Sequence, residues 1–233
     1  MKERTAFNDN WLYKPSFDAA DPFGAAETEG YVQVELPHTN KILPYNCFDE
    51  AECQFISCYK KIFRVKREWE DKTLLLEFEG VMLACEVWCN GIPVGGHEGG
   101  FTPFQVDLTK AVKPGEENIL IVKVDSTERK DIPPFGNVVD YLTYGGIYRD
   151  VNLIITDPVN ISLTDYASPG VYLIQNKVTK EQADVRAKVL VSNGSATAQP
   201  VQVDVKIWEG DKMVQQQDIK VTVDANDWTT TGM

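Results

Sequence analysis

Pairs of acidic residues spaced by two are frequent in this sequence and are the first candidates for chemistry. The pairs are Glu27 and Glu29, Glu50 and Glu52, and Glu77 and Glu79. Two carboxylates act as general acid and base when they converge across a cavity in unequal environments. Residues two apart in an extended chain instead point to one face, and for Glu77 and Glu79 we expect that face to be solvated. The pairs therefore predict no catalytic site.

Other chemistry-bearing residues are few. The two histidines, His38 and His97, belong to no H-E-x-x-H motif and lie beside no cysteine ligands, so no metal site is expected. No G-x-S-x-G nucleophile elbow is present. The glycine-rich run at residues 95–100 lacks the Gly-Lys-Ser/Thr ending of a phosphate-binding loop, and it predicts a sharp chain reversal. By itself, the sequence predicts neither an active site nor a cofactor.

Composition narrows the classes of partner. The chain has 233 residues and a formal net charge of −12, from 35 acidic and 23 basic residues. Contacts with phosphates need a surplus of Lys and Arg, so binding to nucleic acid or to anionic membranes is disfavoured. Neutral partners such as sugars stay open. The hydrophobic fraction of 43% is that of a globular protein rather than a disordered tail.

The compartment is expected to be the cytoplasm. No apolar run approaches the roughly 20 residues of a membrane span, and the first residues contain no apolar signal-peptide core. The inference holds if Met1 is the native start. The five cysteines form no C-x-x-C pair, which favours reduced, packed thiols over a disulfide framework.

The elements that must position any site are strands. In residues 83–89 the odd positions share one apolar side, and Trp88 on the other side is expected to pack. This segment runs into Asn90-Gly91, a pair typical of a type I′ hairpin turn. Further strands are predicted at residues 31–36, 61–65, 72–79, 104–108, 118–124 and 148–156. Many short strands and almost no amphipathic helix indicate an all-β jelly-roll sandwich over residues 1–156.

A second β pattern follows Asp157-Pro158, where proline ends strand pairing. About five strands are predicted, and the last residues, 228–233, offer no complete sixth. An immunoglobulin-like sandwich needs about seven strands and about 100 residues. Residues 157–233 therefore predict an immunoglobulin-like β-sandwich that is incomplete and leaves an unpaired edge.

Several short motifs, in their order, carry a resemblance to a known family. They are Phe-Asn-Asp-Asn-Trp at 7–11, Leu-Pro-His-Thr at 36–39, Phe-Glu-Gly-Val-Met at 78–82, Glu-Val-Trp-Cys-Asn-Gly at 86–91, Gly-Phe-Thr-Pro-Phe at 100–104 and Gly-Gly-Ile-Tyr-Arg-Asp-Val at 145–151. Together they resemble the N-terminal part of family 2 glycoside hydrolases, the β-galactosidases, β-glucuronidases and β-mannosidases. The resemblance implies a sugar-binding jelly roll, an immunoglobulin-like domain and then a β/α barrel that carries both catalytic glutamates.

The resemblance also implies that this chain is not catalytic by itself. Family members hydrolyse with retention, through two carboxylates about 5–5.5 Å apart, both of which belong to the barrel. The sequence has no Asn-Glu dipeptide, the acid/base signature of the family. The expected function is that of a fragment in carbohydrate metabolism, which buttresses the absent barrel of the same polypeptide and contributes to sugar binding. A second copy in a homo-oligomer is the other candidate partner. The alternatives are a stand-alone carbohydrate-binding module and a structural adhesion sandwich.

One residue is expected to touch substrate. Asp140 matches an aspartate that family members extend from this domain into the mouth of the barrel, where it holds sugar hydroxyls. Tyr141 and Tyr144 in the same run are candidates for stacking on sugar faces. Three further candidates for stacking are Tyr45, Phe48 and Phe135. For Asp140 the alternative is a solvated turn residue, and for the aromatic residues it is ordinary core or rim packing.

Two other residues are expected to be structural. Arg149 is predicted to form an ion pair with a neighbouring acid. His38 is predicted to satisfy backbone groups at the end of a strand.

Overall fold

The computed structural model describes residues 2–19, 28–46, 49–136 and 142–232. The chain divides into two compact units, Met1–Ile155 and Thr156–Met233, and this division lies next to the predicted boundary. Both units are built from β-strands. Over the described ranges, no helix is long and apolar enough to cross a membrane.

The first unit is a jelly-roll sandwich of two sheets. Its strands are β1 (Lys2–Ala6), β2 (Trp11–Lys14), β3 (Val32–Val34), β4 (Ile56–Arg64), β5 (Thr73–Phe78), β6 (Ala84–Cys89), β7 (Ile92–Glu98), β8 (Phe104–Asp107), β9 (Glu117–Asp125) and β10 (Val151–Thr156). One sheet has the order β3-β2-β4-β9-β6-β7, and the other has the order β1-β10-β5-β8. Two short 3₁₀ helices, Glu50–Cys53 and Arg67–Trp69, lie between strands.

The core lies between these two sheets. On β9, Leu120, Val122 and Val124 are two residues apart, so they share one face of the sheet, and they have no exposed surface. They belong to one buried cluster with Leu76 and Phe78 of β5. The predicted hairpin is confirmed, because β6 and β7 are joined by Asn90-Gly91 and pair in antiparallel register.

Trp11 on β2 is the largest fully buried side chain of this core. Its indole Nε1 donates a hydrogen bond of 2.7 Å to the Phe7 carbonyl. The Lys61 ammonium lies 5.5 Å from the Trp11 ring and 4.4 Å from the Phe7 ring, and it donates to the Asp9 carbonyl. The two aromatic faces and the carbonyl stabilise a lysine that is only 7% exposed.

The prediction of cysteines in packed positions is confirmed for four of the five. Cys53, Cys58, Cys85 and Cys89 are free thiols and buried. Cys47 lies outside the described residues. Burial raises the pKa of Cys85 and of Cys89 to about 12. These thiols are therefore protonated at neutral pH and act as small apolar side chains.

Two details of the first unit differ from expectation. Gly95 and Gly96 lie inside β7 rather than in a chain reversal, because β7 continues to Glu98. A Cβ on Gly96 would lie 2.4 Å from the Cys85 carbonyl oxygen, so the pairing with β6 leaves no room for a side chain there. Also, the face of Glu77 and Glu79 is not simply solvated. Arg4 of β1 binds both carboxylates, at 2.6 and 2.9 Å.

The second unit is an immunoglobulin-like sandwich of six strands. They are β11 (Val159–Ile161), β12 (Val171–Val178), β13 (Ala183–Asn193), β14 (Gln199–Glu209), β15 (Lys212–Val223) and β16 (Asp227–Gly232). β13 pairs with β11, β12 and β16, whereas β14 pairs with β15. The buried side chains of Val189, Val191 and Val223 form its centre.

The prediction that the last residues form no complete strand is wrong. β16 pairs with β13 over six residues, from Asn193 and Asp227 to Lys188 and Gly232. Three of its six residues are threonine, a β-branched residue that favours strands without giving an apolar pattern. Leu173 and Ile207 are 68% and 49% exposed, so part of the apolar surface of this unit is uncovered within the described residues. That the sandwich is incomplete stays a prediction.

Candidate functional site

The candidate site is built from the described residues that flank positions 137–141 in the sequence. Asp140 and Tyr141 fall within this segment and lie outside the described residues. Tyr144 is described, and so are the residues directly before residue 137 and directly after residue 141. The geometry of the site is therefore the geometry of the two anchors of this segment and of the cleft beside it.

The anchor after the segment is a short ladder of backbone hydrogen bonds on both sides of residues 145–147. On one side, the His38 amide donates to the Ile147 carbonyl at 2.8 Å, and the Asn40 amide donates to the Gly145 carbonyl at 2.9 Å. On the other side, the Met82 amide donates to the Gly146 carbonyl at 3.0 Å. The chain is therefore held between two neighbouring backbones directly after residue 144.

This anchor needs glycine. A Cβ on Gly146 would lie 2.5 Å from the Tyr59 hydroxyl and 2.8 Å from the His38 carbonyl oxygen, and Gly146 has a φ of +102°. A Cβ on Gly145 would lie 2.3 Å from the Ser126 hydroxyl. All three distances are shorter than real Cβ contacts, so only glycine lets residues 145 and 146 lie this close to their neighbours.

The anchor before the segment is ionic. The Arg129 guanidinium binds both carboxylate oxygens of Asp131 and, at 3.0 Å, the Glu98 carboxylate at the end of β7. Arg129 holds the pKa of Asp131 below its usual range. Directly before residue 137 the polypeptide is held again, because the Gly136 amide donates to Glu128 Oε1 at 2.6 Å. Exposed ion pairs add little stability, but this bidentate geometry fixes where the loop starts.

A cleft of about 440 Å³ lies beside the anchor that follows residue 144, the backbone ladder at residues 145–147. Its walls include Pro37, His38 and Met82, together with the aromatic rings of Phe101, Tyr144 and Tyr148. Phe101 and Tyr144 are 43% and 42% exposed. The volume is within the usual range of small-ligand sites, about 300–1,000 Å³.

His38 has a defined role in this cleft. Its Nδ1 lies 2.9 Å from the Tyr59 hydroxyl, whose oxygen also accepts a 3.4 Å hydrogen bond from the Ile147 amide. Tyr59 is fully buried, so its single proton needs an acceptor, and His38 Nδ1 is the acceptor within reach. This arrangement selects the tautomer of His38 that carries its proton on Nε2. His38 was expected to satisfy backbone groups at the end of a strand. Its backbone amide does so by donating to the Ile147 carbonyl, whereas its ring binds the Tyr59 hydroxyl.

Both histidines should make the fold less stable in mild acid. Burial lowers the pKa of His38 and of His97, whereas both imidazoles would have a pKa near 6.5 in the unfolded chain. The unfolded state then binds more protons below about pH 6.5, so stability falls as the pH drops toward the folded-state pKa values. We expect a lower melting temperature at about pH 5 than at about pH 7.5, and a smaller difference in the His38→Gln variant. An imidazole that titrates at or above about 6.5 by NMR would contradict this.

The other sequence candidates are distributed unevenly. Tyr144 lines the cleft. Phe135, in the loop that follows Arg129, is 42% exposed, and Tyr45 is 96% exposed. Phe48 lies outside the described residues. Trp88 packs as expected, with its ring stacked on Phe17 at 6.0 Å.

Among the described residues Arg149 forms no ion pair, so the prediction of one with a neighbouring acid is wrong there. Its guanidinium lies over the Tyr148 ring at 5.3 Å. The neighbouring acids are already engaged, since Glu79 binds Arg4 and the Asp150 carboxylate accepts from Asn8 at 3.0 Å. Cation–π stacking on the partly buried Tyr148 ring is the contact that remains.

Phe101 and His38 were not identified as site residues from the sequence. Phe101 belongs to the motif at 100–104, which carried the resemblance without a role, and His38 was interpreted as structural. No motif or regular spacing in the sequence marks Phe101 or His38 as a site residue, because the cleft brings together segments that are far apart in sequence. Across the parts of the chain that are described, no cluster of three or more His, Cys, Asp or Glu could hold a metal ion.

The fold and the site together define the class of protein. A jelly-roll sandwich with an anchored loop and an aromatic cleft at one end, followed by an immunoglobulin-like sandwich, is the architecture of the N-terminal domains of a glycosidase. The sequence profile described as "Glycosyl hydrolases family 2, sugar binding domain" matches residues 27–158. The chain belongs to this family.

Its relatives are whole glycosidases. The chain is 42% identical over 173 residues to a β-galactosidase of Thermoanaerobacterium thermosulfurigenes, covering 74% of this chain and 24% of the relative. It is 36% identical over 228 residues to a β-glucuronidase of Bacteroides fragilis, covering 96% of this chain and 30% of the relative. The crystal structure of a Bacteroides uniformis β-glucuronidase shares the fold, with a TM-score of 0.88 over 100% of this chain and 27% of that chain, at 22% identity. The chain thus spans only 24–30% of the length of these relatives.

Proposed function

We propose that this chain is the non-catalytic N-terminal region of a retaining β-galactosidase or β-glucuronidase, where it buttresses the catalytic barrel and contributes to binding of the substrate sugar. The observation that carries this proposal is the pair of anchors on either side of residues 137–141. The Arg129 ion pairs fix the loop that leads into the segment, and the Gly145–Gly146 ladder fixes the chain that leaves it.

Anchors of this kind suit a residue that must reach a ligand in one orientation. Asp140 lies between them in sequence, and an ionised carboxylate accepts strong hydrogen bonds from sugar hydroxyls. Orientation of the ring before reaction lowers the entropic part of the barrier. A short segment fixed at both ends loses less freedom on binding than one fixed at a single end, which favours productive binding.

The hydrolytic step is assigned to the barrel of the intact enzyme. Retaining hydrolysis needs a nucleophile and an acid/base carboxylate about 5–5.5 Å apart on either side of the glycosidic bond. Of the three acidic pairs, only Glu77 and Glu79 were predicted to lie on a strand of the first sandwich. Both carboxylates bind Arg4, so they are not arranged as a catalytic pair. The role left to this region is to bind and orient.

The test is the Asp140→Ala variant of the intact enzyme. We expect kcat/KM on a nitrophenyl β-galactoside or β-glucuronide to fall about 10- to 100-fold, equivalent to about 1.4–2.8 kcal/mol of lost transition-state binding. The melting temperature of the 233-residue chain should change little. Asp71→Ala, at an exposed turn position, is the matched control and should leave kcat/KM unchanged.

Two results would contradict the proposal. One is an unchanged kcat/KM in Asp140→Ala. The other is a fall of many degrees in the melting temperature of this variant, which would make Asp140 a structural residue.

The alternative of a stand-alone carbohydrate-binding module needs a concave aromatic patch within the chain, and the cleft beside Tyr144 is such a patch.

A further inference from the structure

We propose that the cleft formed by His38, Phe101 and Tyr144 is a binding site for an uncharged pyranose ring, and that it functions without residues 137–141. The inference rests on the proposed function only in that the ligand is a carbohydrate. It adds a site, and it specifies the class of sugar that the site accepts.

The walls of the cleft fit the apolar faces of a sugar. Phe101 and Tyr144 each leave more than two fifths of their surface exposed, at 43% and 42%, although both are large aromatic residues. Such rings are usually covered in a folded domain, and exposed apolar surface at a concave site is typical of ligand contact. The C–H faces of a pyranose match an aromatic plane in size and polarity.

The polar groups of the cleft fit sugar hydroxyls. The Tyr59 hydroxyl occupies His38 Nδ1, so the Nε2–H of His38 is the group that can donate to a ligand. Within the described part of the chain, the Thr143 and Tyr144 hydroxyls make no hydrogen bond. A hydroxyl both donates and accepts, as each sugar hydroxyl does, so the three groups can exchange hydrogen bonds with a ring lying on Phe101.

The charge of the cleft selects between classes of sugar. None of the nine described residues that line it is a carboxylate, a lysine or an arginine. Arg149, which lies over the Tyr148 ring, is not among them. The carboxylate of a uronic acid would lose water here without gaining a cation, which is unfavourable. A neutral hexose has no such cost, so the cleft should favour a galactoside or glucoside over a glucuronide.

The experiment is an NMR titration of the ¹⁵N-labelled 233-residue chain with methyl β-galactopyranoside, methyl β-glucopyranoside and methyl β-glucuronide. We expect saturable shifts in residues around the cleft, with a Kd on the order of 1–10 mM for the better neutral glycoside. The glucuronide should bind at least about tenfold more weakly. Phe101→Ala should weaken binding about tenfold, and Tyr144→Phe, which keeps the ring, should weaken it less.

Matched variants separate this site from other surfaces. Tyr45 is 96% exposed and does not line the cleft, so Tyr45→Ala should leave the Kd unchanged. The proposed function is tested by a different measurement, kcat/KM of Asp140→Ala in the intact enzyme. The two proposals can therefore fail separately. The inference is overturned by the absence of saturation up to about 100 mM of each glycoside, by a glucuronide that binds as tightly as the neutral sugars, or by equal losses in Tyr45→Ala and Phe101→Ala.

Discussion

Replacement of Gly146 by alanine should destabilise the first sandwich by about 4 kcal/mol or more, or prevent it from folding. The new Cβ would lie 2.5 Å from the Tyr59 hydroxyl, 2.8 Å from the His38 carbonyl oxygen and 2.9 Å from the Asn40 amide nitrogen. Two of these neighbours are backbone atoms within the ladder that anchors residues 145–147, and Tyr59 is fully buried. None can move without breaking hydrogen bonds, so overpacking adds to the strain of a φ of +102°.

Gly136→Ala is the control that measures the strain of a positive φ without any steric contact of the new Cβ. Gly136 also has a positive φ, +62°, but nothing lies within 4 Å of its Cβ position. Alanine there should cost only about 1 kcal/mol, the strain of the left-handed conformation. Denaturant unfolding of both variants measures the difference. Equal losses of stability in the two would show that the contacts with Tyr59 and His38 do not determine the requirement for glycine.

Trp11→Ala should cost about 3–5 kcal/mol in the first sandwich. The indole is fully buried, so its removal leaves a cavity and loses the transfer free energy of a large apolar surface. It also deprives the Lys61 ammonium, 5.5 Å away, of one of its two aromatic partners. Burial already lowers the pKa of Lys61, which indicates that its charge is poorly hydrated. A weaker aromatic contact therefore adds to the cost of the cavity.

Trp228→Ala is the matched substitution at an exposed site. Trp228 on β16 is 61% exposed, so its loss should change stability by about 0.5 kcal/mol or less and leave the first sandwich unaffected. Chemical denaturation followed by tryptophan fluorescence, with calorimetry as a second probe, gives both values. If the two variants unfold at the same denaturant concentration, the assignment of Trp11 to the centre of the core is wrong.

Local sequence signals predicted much of the first sandwich. The hairpin at Asn90-Gly91 depends on two neighbouring residues that accept positive φ, with observed values of 51° and 80°, so no long-range information was needed. The strand β9 was equally clear, since residues 119–122 form a short, continuous run of apolar residues that is typical of a buried strand. β16 was missed because its pairing with β13 compensates for a sequence without apolar alternation. The place of Gly95 and Gly96 in β7 was missed because the close approach of β6 is a tertiary feature.

The candidate site was predicted only where a contiguous motif carried it. Tyr144 was selected from the run at 140–151, and it lines the cleft. His38 and Phe101 meet Tyr144 only through the fold, because the strands and loops that connect them are dozens of residues long. The protonated nitrogen of His38 depends on Tyr59, whose role has no sequence signature. Spacing along the chain cannot reveal a site of this kind, whereas the contacts of the folded chain do.

The anchors around residues 137–141 also separate two demands on evolution. Gly145, Gly146 and Arg129 are constrained by backbone contacts and ion pairs that have nothing to do with any particular sugar. Under the proposed function, the demand that depends on the sugar falls on residues 137–141, so a change in the preferred glycoside is expected from substitutions there, with the described anchors retained.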